Sequence, residues 1–444
     1  MSTTAETYQI VSRRLIPILF ISYVISFLDR VNIGYAKLQM ATELGYSDVV
    51  YGFGAGIFFL GYFLFEVPSN ILLHRLGARV WISRIMLTWG IVSGMFAFVD
   101  MIPWGPLPEM FGLPDHEFGL YALRFLLGLS EAGFFPGIIL YLTYWYPASM
   151  RGRTIASFMF GIAVANIIGG PLSGFLMEYL HGVGAWQGWR WLFLIEAVPA
   201  VVMGFVLFLK LPNGPHDAPW LTDAQREDVL NTVATSEEHT SSSSNHSFWN
   251  AIADSRVWLL TFANMLGITI TYAVNFWLPT ILTEIGVGKQ DYMMVGLVSL
   301  IPWGVGGLVM LMMAHNSDRT QERRWHIAGS LLACTAGLLM FAMVDPEPVP
   351  SIIAITIVAC GTLSYGGLFW SLPTTFLRGS AAVAGIAMIN SISNLGGQIG
   401  PEIIGRLRGS NYHPDAPFYV LACFTFVSAL LVYLATRPTR TSVQ

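Results

Sequence analysis

Long apolar stretches, separated by short polar segments, dominate the sequence. Most of them extend over about 18 to 25 residues, and about 20 residues of apolar helix cross the roughly 30 Å hydrocarbon core of a bilayer. We therefore predict an all-α membrane protein in which each stretch is a transmembrane helix. The twelve predicted spans lie near residues 14–36, 50–73, 80–99, 118–146, 154–178, 189–210, 256–282, 292–314, 326–344, 350–371, 383–405 and 416–436.

One long hydrophilic stretch, residues 211–255, divides the predicted spans six and six. Within it, Thr222 and Gln225 have the spacing of a capping box, which predicts the start of a short helix. The expected organisation is an N-terminal six-helix bundle at 1–210, a cytoplasmic linker loop at 211–255 and a C-terminal six-helix bundle at 256–444.

The two halves of the chain repeat short polar motifs at matching positions. The loop after the second span carries Arg75 and Arg79, and the loop after the eighth span carries Asp318 and Arg319. Glycine-rich patterns occur in both the fifth and the eleventh spans. Transporters built from two repeats related by an axis along the membrane normal show such echoes. We therefore predict two pseudo-symmetric bundles of six helices.

Positive charges are distributed unevenly between the two sides of the predicted spans. With the N-terminus inside, sixteen of the 23 Lys and Arg residues lie in cytoplasmic segments and five lie in outer segments. Because Lys and Arg accumulate on the cytoplasmic side of membrane proteins, both termini are predicted to be cytoplasmic. The expected location is the inner (cytoplasmic) membrane. The remaining two positive residues, Arg30 and Arg124, fall inside predicted spans.

Composition argues against several other classes of protein. Of the 444 residues, 54% are hydrophobic and 11% are charged, whereas a soluble domain has about 25% charged residues. The net charge of -4 includes no basic stripe, so no nucleic-acid partner is expected. Three widely spaced cysteines give no basis for a metal site or a disulfide framework. Without a Walker loop, a zinc-protease motif or a nucleophile elbow, the sequence predicts no catalytic residue and no cofactor.

Ionisable residues within the predicted spans are the first candidates for a functional site, because each costs about 2.5–3.5 kcal/mol to insert. Asp29 and Arg30 fall in the first span, and Arg124 and Glu131 fall in the fourth. Arg124 and Glu131 are seven residues apart, which places them on one helix face. Two guanidinium groups could clamp a substrate carboxylate, and the two acids could carry protons.

Each of these four residues also has a purely structural interpretation. Arg124 could extend to the outer headgroups, Asp29 and Arg30 could form a private pair, and Glu131 could be a hydrogen-bonded acid between helices. Further polar and aromatic residues in the spans are candidates for substrate binding, although interhelical hydrogen bonding or packing would explain them equally well. These residues are Asn166, Tyr272, Asn275, Tyr365, Trp370, Asn390 and Asn394.

Several segments together are similar to one known family. They are Arg13-Arg14-Leu-Ile-Pro, Phe27-Leu28-Asp29-Arg30-Val31-Asn32-Ile33-Gly34, Glu66-Val67-Pro68-Ser69-Asn70, Arg124 through Glu131-Ala132-Gly133-Phe134, Ser317-Asp318-Arg319 and the run from Ala384 through Asn390 to Pro401. In these segments the sequence resembles the anion:cation symporter family of the major facilitator superfamily, and the resemblance covers nearly the whole chain.

The resemblance implies a proton-coupled importer of organic anions that works by alternating access. Arg30 and Arg124 would bind the substrate carboxylate, Asp29 and Glu131 would carry protons, and Asn390 would reach the substrate from the second half. The loop residues Arg75, Arg79, Asp318 and Arg319 would act in gating. His74 stands where an acidic residue often precedes the arginine in this superfamily, which favours the second loop as the better acid and arginine lock.

The working hypothesis is a proton symporter for a small organic carboxylate. The candidate substrates are either aromatic or heteroaromatic acids or hydroxy and sugar acids such as tartrate. The proton gradient would drive it, and its partners would be the substrate, protons and the lipid bilayer. A monomer is expected. An exporter or drug/proton antiporter of the same fold is the alternative. A membrane sensor that does not transport would need an output domain, for which the 211–255 segment is short.

Overall fold

The computed structural model describes residues 4–241, 253–289, 291–373, 377, 379–410 and 412–437. Across these ranges the regular secondary structure is helical, with no strand. In chain order the α-helices are α1 Thr4–Leu44, α2 Asp48–Leu76, α3 Ala78–Met95, α4 Leu107–Phe111, α5 Asp115–Glu131, α6 Phe134–Thr143, α7 Ala148–Met159, α8 Gly161–Tyr179, α9 Gly188–Lys210, α10 Asp223–Ser241, α11 Ser255–Glu284, α12 Tyr292–Thr320, α13 Arg324–Met343, α14 Pro348–Phe369, α15 Gly379–Asn394, α16 Gly396–Arg408 and α17 Ala416–Ala435.

Most of the predicted spans are single long helices. Among the described residues, 11 helical segments are long and apolar enough to cross a membrane, α5 and α6 together forming one of them. The predicted span at 383–405 is instead two successive helices, α15 and α16. The helical hydrogen-bond pattern tightens at Leu395, whose amide donates to the Ile392 carbonyl at 3.2 Å. The all-α class is confirmed, and a fold of twelve membrane-crossing helices is consistent with this arrangement.

The predicted hydrophilic linker contains the helix that its capping box indicates. The amide of Thr222 donates to the side chain of Gln225 at 3.1 Å, and the amide of Gln225 donates to the hydroxyl of Thr222 at 3.3 Å. This reciprocal pair satisfies two amides that the first turn of α10 would leave without a partner. The capping-box prediction is confirmed.

The described chain forms two compact units, and each combines several segments of the sequence. The first unit contains residues 1–33, 57–169 and 180–243, and the second contains residues 34–56, 170–179 and 244–444. The change of unit at residue 243 falls within the predicted linker. The boundaries predicted for the two six-helix bundles stay a prediction.

Helices α2 and α5 approach each other closely in the first unit because glycine lies on both contact faces. A Cβ atom on Gly128 would meet the carbonyl oxygen of Phe58, and one on Gly61 would meet the carbonyl oxygen of Phe125. Small residues at such positions allow membrane helices to pack backbone against backbone. The contact fixes the helix that carries Arg124 and Glu131 against α2.

The second unit is organised around α11. This helix packs against α15, α16 and α17, while α13 packs against α14 and α17. The apolar core between these helices includes Val257, Leu331, Tyr365 and Val432. On α16, added Cβ atoms at Gly396 and Gly400 would meet backbone carbonyls of α11. These α16 glycines therefore allow α16 to pack closely on α11.

We predict that Gly128→Ala destabilises the protein, because the new methyl group has no space beside the Phe58 carbonyl. Overpacking of this kind costs about 1–3 kcal/mol, so the midpoint of thermal unfolding of the purified protein should fall. Gly152→Ala is the matched control, since a Cβ atom there meets nothing within 4 Å. Equal midpoints for the two variants would contradict the proposed backbone contact between α2 and α5.

Candidate functional site

The predicted fourth span is broken immediately after Glu131. Helix α5 ends at Glu131, Ala132 leaves the helical region with φ -54° and ψ 133°, and α6 begins at Phe134. Gly133 has a φ of +84°, a left-handed conformation that a residue without a side chain adopts at little cost. A Cβ atom at this position would also collide with Ser69. The break places Glu131 at the end of a half-helix, as in the discontinuous helices of other transporters.

Glu131 is paired with Arg30 from the first helix. Both Nε and Nη2 of Arg30 donate to Oε1 of Glu131, at 2.8 and 2.5 Å. Arg30 is 9% exposed and Glu131 is 1% exposed, so solvent screens this pair weakly. A carboxylate in the last turn of a helix faces the negative end of the helix dipole. The Arg30 guanidinium therefore stabilises a charge that its own helix disfavours.

Arg124 joins the same cluster through an aromatic ring. The guanidinium carbon of Arg124 lies 5.1 Å from the centre of the Phe58 ring, and that of Arg30 lies 5.4 Å from the same centre. Arg124 is 1% exposed and interacts electrostatically with Glu131. The structure therefore brings both arginines and Glu131 together in the first unit. The Arg124 side chain is therefore buried in this cluster and does not extend to an exposed surface.

Asp29 is held by neutral donors from α3. The indole Nε1 of Trp89 donates to Oδ2 of Asp29 at 2.5 Å, and the hydroxyl of Ser93 donates to Oδ1 at 3.1 Å. Asp29 is 2% exposed. Adjacent residues on α1 thus have different partners, since Arg30 binds Glu131 while Asp29 binds α3.

This cluster contains two guanidinium groups and two carboxyl groups, which balance when both acids are ionised. Breaking a buried ion pair by removing one partner costs about 3–5 kcal/mol, because the remaining charge has lost its compensation. A second anion near Arg30 and Arg124 would therefore compete with Glu131. Protonation of one acid would restore the balance.

The other predicted site residue of the first unit lies on α8. Asn166 is buried, and its Oδ1 atom accepts no hydrogen bond among the described residues. The same helix packs on α1 through Gly169, which faces Val31 and Leu28. Asn166 thus offers an acceptor on a helix that borders α1.

The predicted residues of the second unit lie on α11, at the end of α14 and on α15. Asn275 donates from Nδ2 to the Thr271 carbonyl at 2.7 Å, and Tyr272 packs against Phe276 with ring centres 5.6 Å apart. The Tyr365 hydroxyl donates to Oδ1 of Asn264 at 2.9 Å. Three others, Trp370, Asn390 and Asn394, are partly exposed. Their role in substrate binding stays a prediction.

The predicted gating residues differ in their contacts and exposure. Arg79 donates from Nε to the Phe208 carbonyl at 2.5 Å, while Arg75 is exposed. After α12, Asp318 forms an ion pair with Arg323 at 2.6 Å, and Arg319 is exposed. The acid and arginine of the second loop are therefore Asp318 and Arg323 in this structure. The gating role itself stays a prediction.

With this geometry in view, comparison with known proteins identifies the family. The sequence matches the family model described as Major Facilitator Superfamily over residues 19–401. The chain belongs to the Major Facilitator Superfamily. The resemblance found in the sequence is confirmed at this level, and the protein is a multi-pass membrane transporter rather than an enzyme.

Two relatives within the superfamily carry names that bear on function. A protein of Agrobacterium vitis named "Putative tartrate transporter" is 41% identical over 440 residues, which cover 99% of this chain and 93% of that protein. The "Quinolone resistance transporter" of Acinetobacter baumannii is 36% identical over 434 residues, which cover 98% and 96%.

Solved structures of the superfamily share the fold at low sequence identity. The inward open conformation of the xylose transporter XylE from E. coli matches with a TM-score of 0.73 and 13% identity, over 96% of this chain and 97% of that one. This similarity supports the assignment of the fold.

The sequence analysis did not identify four residues that contact the charged side chains of the candidate site. Trp89 and Ser93 hold Asp29, and Phe58 and Tyr62 present their rings to Arg30. All four lie in apolar stretches of the predicted transmembrane helices, where aromatic and serine residues are common. Their only signal is spatial, because each becomes recognisable through its charged partner from another helix.

We predict that Trp89→Phe destabilises the transporter, since phenylalanine keeps an aromatic ring but removes the donor to Asp29. An unsatisfied buried acceptor costs about 1–3 kcal/mol, which should lower the midpoint of thermal unfolding in detergent. The loss should be smaller when Asp29 is already Asn, because the two positions are coupled. Trp325→Phe, at an exposed indole, is the control. Equal losses with Asp and Asn at position 29 would contradict this coupling.

Proposed function

We propose that the protein is a secondary active transporter that imports a small organic carboxylate together with protons. The observation that carries this proposal is the buried cluster in which Arg30 pairs with Glu131 and both Arg30 and Arg124 lie near the Phe58 ring. Planar guanidinium groups match the two oxygens of a carboxylate. The proton gradient supplies the energy, and the proposed mechanism needs no cofactor.

Charge balance couples the substrate to the proton in this proposal. A carboxylate that binds Arg30 displaces Glu131 from the guanidinium and adds one negative charge to a buried site. Because an uncompensated buried charge is costly, the site takes up a proton when the anion binds. Glu131 is the proposed acceptor, since it loses its partner in this step. Asp29, held by Trp89 and Ser93, is proposed as the second proton carrier.

The chemical class of the substrate is supported by the site and by a relative. Two arginines favour a carboxylate, and the Agrobacterium vitis relative is named for tartrate, a dicarboxylic hydroxy acid. Proposed contacts from the rest of the chain are Asn166, Tyr272, Asn275, Tyr365, Trp370, Asn390 and Asn394. Hydroxy acids such as tartrate are the first substrates to test, followed by aromatic acids.

The remaining parts of the proposal concern the setting of the transporter. The charge distribution supports a location in the inner membrane with both termini in the cytoplasm. We propose a monomer with bundles at 1–210 and 256–444. The loop residues Arg75, Arg79, Asp318 and Arg319 are proposed to act in gating on the cytoplasmic side.

Export of a drug in exchange for protons is a second candidate function. It is favoured by the relative named for quinolone resistance, which is 36% identical to this chain. Quinolones are themselves carboxylic acids, so the same arginines could bind them. The two functions differ in the direction of coupling, because a proton gradient directed inward drives substrate in through a symporter and out through an antiporter.

We predict that Arg30→Ala and Arg124→Ala each reduce carboxylate uptake on the order of 50-fold, since each loses a charge-assisted contact worth about 2–3 kcal/mol. Uptake of radiolabelled tartrate and of an aromatic acid panel into proteoliposomes with an acidic exterior measures the effect. Arg406→Ala is the control, because this side chain is 67% exposed. Uptake at the wild-type rate in both site variants would refute the carboxylate clamp.

A second prediction separates proton coupling from binding. Glu131→Gln cannot gain or lose a proton, so accumulation driven by a proton gradient should fall at least about tenfold while exchange of labelled for unlabelled substrate continues. Glu109→Gln, at an exposed position, should leave both activities intact. A Glu131→Gln variant that still accumulates substrate with the proton gradient would remove Glu131 from the mechanism.

A further inference from the structure

Two cations, each paired with an acid, lie over one indole ring in the second unit. Lys37 comes from α1, Asp48 from the start of α2, Glu284 from the end of α11 and Arg408 from the end of α16, and the ring is that of Trp277 on α11. All five residues belong to the same compact unit. In the proposed orientation, these helix ends lie on the outer side of the membrane.

Lys37 is the buried member of this group. Its ammonium nitrogen lies 3.7 Å from the centre of the Trp277 ring and 4.7 Å from that of Tyr51, and it donates to Asp48 at 2.8 Å. Lys37 is 5% exposed. A cation over an indole face is attracted by the ring quadrupole, and the attraction is stronger when water is excluded.

Arg408 and Glu284 form the second ion pair of this group. The guanidinium forms a two-pronged ion pair with the carboxylate, at 2.5 and 2.7 Å, and its carbon lies 5.1 Å from the centre of the Trp277 ring. The indole Nε1 of Trp277 donates to the Pro401 carbonyl at 3.3 Å. Trp277 is therefore fixed to α16, and its ring is presented to both cations.

These contacts differ in which parts of the sequence they connect. The ion pair of Lys37 with Asp48 joins α1 to α2, and that of Arg408 with Glu284 joins α16 to α11. Each ion pair thus stays within one half of the sequence. The contact of Lys37 with Trp277 connects the two halves. Lys37 thus forms its ion pair within the first half of the sequence and lies against an aromatic ring of the second half.

Glycines allow the helices of the two halves to meet closely around this contact. Added Cβ atoms at Gly34, Gly52, Gly56 and Gly174 would meet backbone atoms of Phe276, Pro401, Gln398 and Tyr292. The Tyr35 hydroxyl also donates to that of Ser299 at 2.8 Å. We call these contacts of α1, α2 and α8 with α11, α12 and α16 the glycine seam. Across the same seam, the Tyr51 hydroxyl donates to the Phe276 carbonyl at 2.8 Å.

We propose that Lys37 and Trp277 form a latch that holds the glycine seam closed and that releases when the transporter opens to the outer side. This role rests on the proposed function, because alternating access requires the seam to open in each transport cycle. When it opens, both ion pairs can stay intact, so no unpaired charge is created. Opening would break the contact between the Lys37 ammonium and the Trp277 ring. It would also break the hydrogen bonds of Tyr35 with Ser299, Tyr51 with Phe276 and Tyr292 with Glu178.

The latch predicts that Lys37→Met opens the seam more often. Ser299, which is buried within the seam, is replaced by Cys in a background where Cys334, Cys360 and Cys423 are Ser. The rate of labelling by a membrane-impermeant maleimide added from outside should rise about tenfold with Lys37→Met, which corresponds to about 1.4 kcal/mol. Lys289→Met, at an exposed lysine, is the control and should leave the rate unchanged.

Trp277→Leu provides a second, independent variant for the same readout. It should raise the labelling rate as Lys37→Met does, and the double variant should exceed neither single variant by more than about twofold, because both changes remove one contact. Labelling rates unchanged by Lys37→Met and by Trp277→Leu, or effects that multiply in the double variant, would overturn the latch. The midpoint of thermal unfolding is measured for each variant, so that a folding defect is distinguished from opening of the seam.

This experiment can fail or succeed independently of the proposed function. Labelling of Ser299→Cys requires no substrate and no proton gradient, so it reports the latch even if the carboxylate is not transported. Conversely, loss of transport in Arg30→Ala tests the substrate site while the labelling rate stays at its starting value. If Lys37→Met leaves the labelling rate unchanged while proton-driven uptake is intact, the latch is rejected and the proposed function is retained.

Discussion

Charge compensation in a medium without water is the constraint on which the site of this protein depends. Arg30, Arg124, Asp29 and Glu131 are all nearly inaccessible, and each has partners from another helix. Such compensation requires the backbones to come close, and the glycines at 61 and 128 provide this between α2 and α5. The break at Gly133 then ends the half-helix at Glu131, where the Arg30 guanidinium meets it. The close packing of these helices and the arrangement of the charged side chains thus both follow from the need to compensate buried charge.

Glycine contacts have different consequences in the two units. Between α2 and α5 they fix charged side chains that must stay aligned, and ion pairs and ring contacts join the same helices to α1. In the glycine seam, the two ion pairs lie each within one half of the sequence, and Lys37 contacts the ring of Trp277 across the halves beside hydrogen bonds from Tyr35 and Tyr51. A backbone contact reinforced by an ion pair between the packed helices favours rigidity, whereas one whose described ion pairs lie within each half favours separation.

Sequence reasoning anticipated the parts of this molecule that depend on local pattern or on the cost of burial. Apolar length predicted the spans, the spacing of Thr222 and Gln225 predicted a helix start, and scarcity of charge within spans drew attention to four charged residues that the structure buries. The partners of those residues were not predictable, since Trp89 reaches Asp29 from 60 positions away. The break of the eleventh span at Leu395 was also missed, because helix breaks depend on packing against α11 as much as on glycine content.

The charge of the substrate also determines the sign of the proposed coupling. If the cluster of two arginines and two acids is neutral when empty, an anion that binds makes it negative and favours proton uptake, which is symport. A cation would make it positive and favour proton release, which is antiport. A zwitterion adds no net charge and would couple weakly unless its cationic group bound elsewhere. In this chain, the direction of proton movement would therefore depend on the net charge that the substrate brings to Arg30 and Arg124.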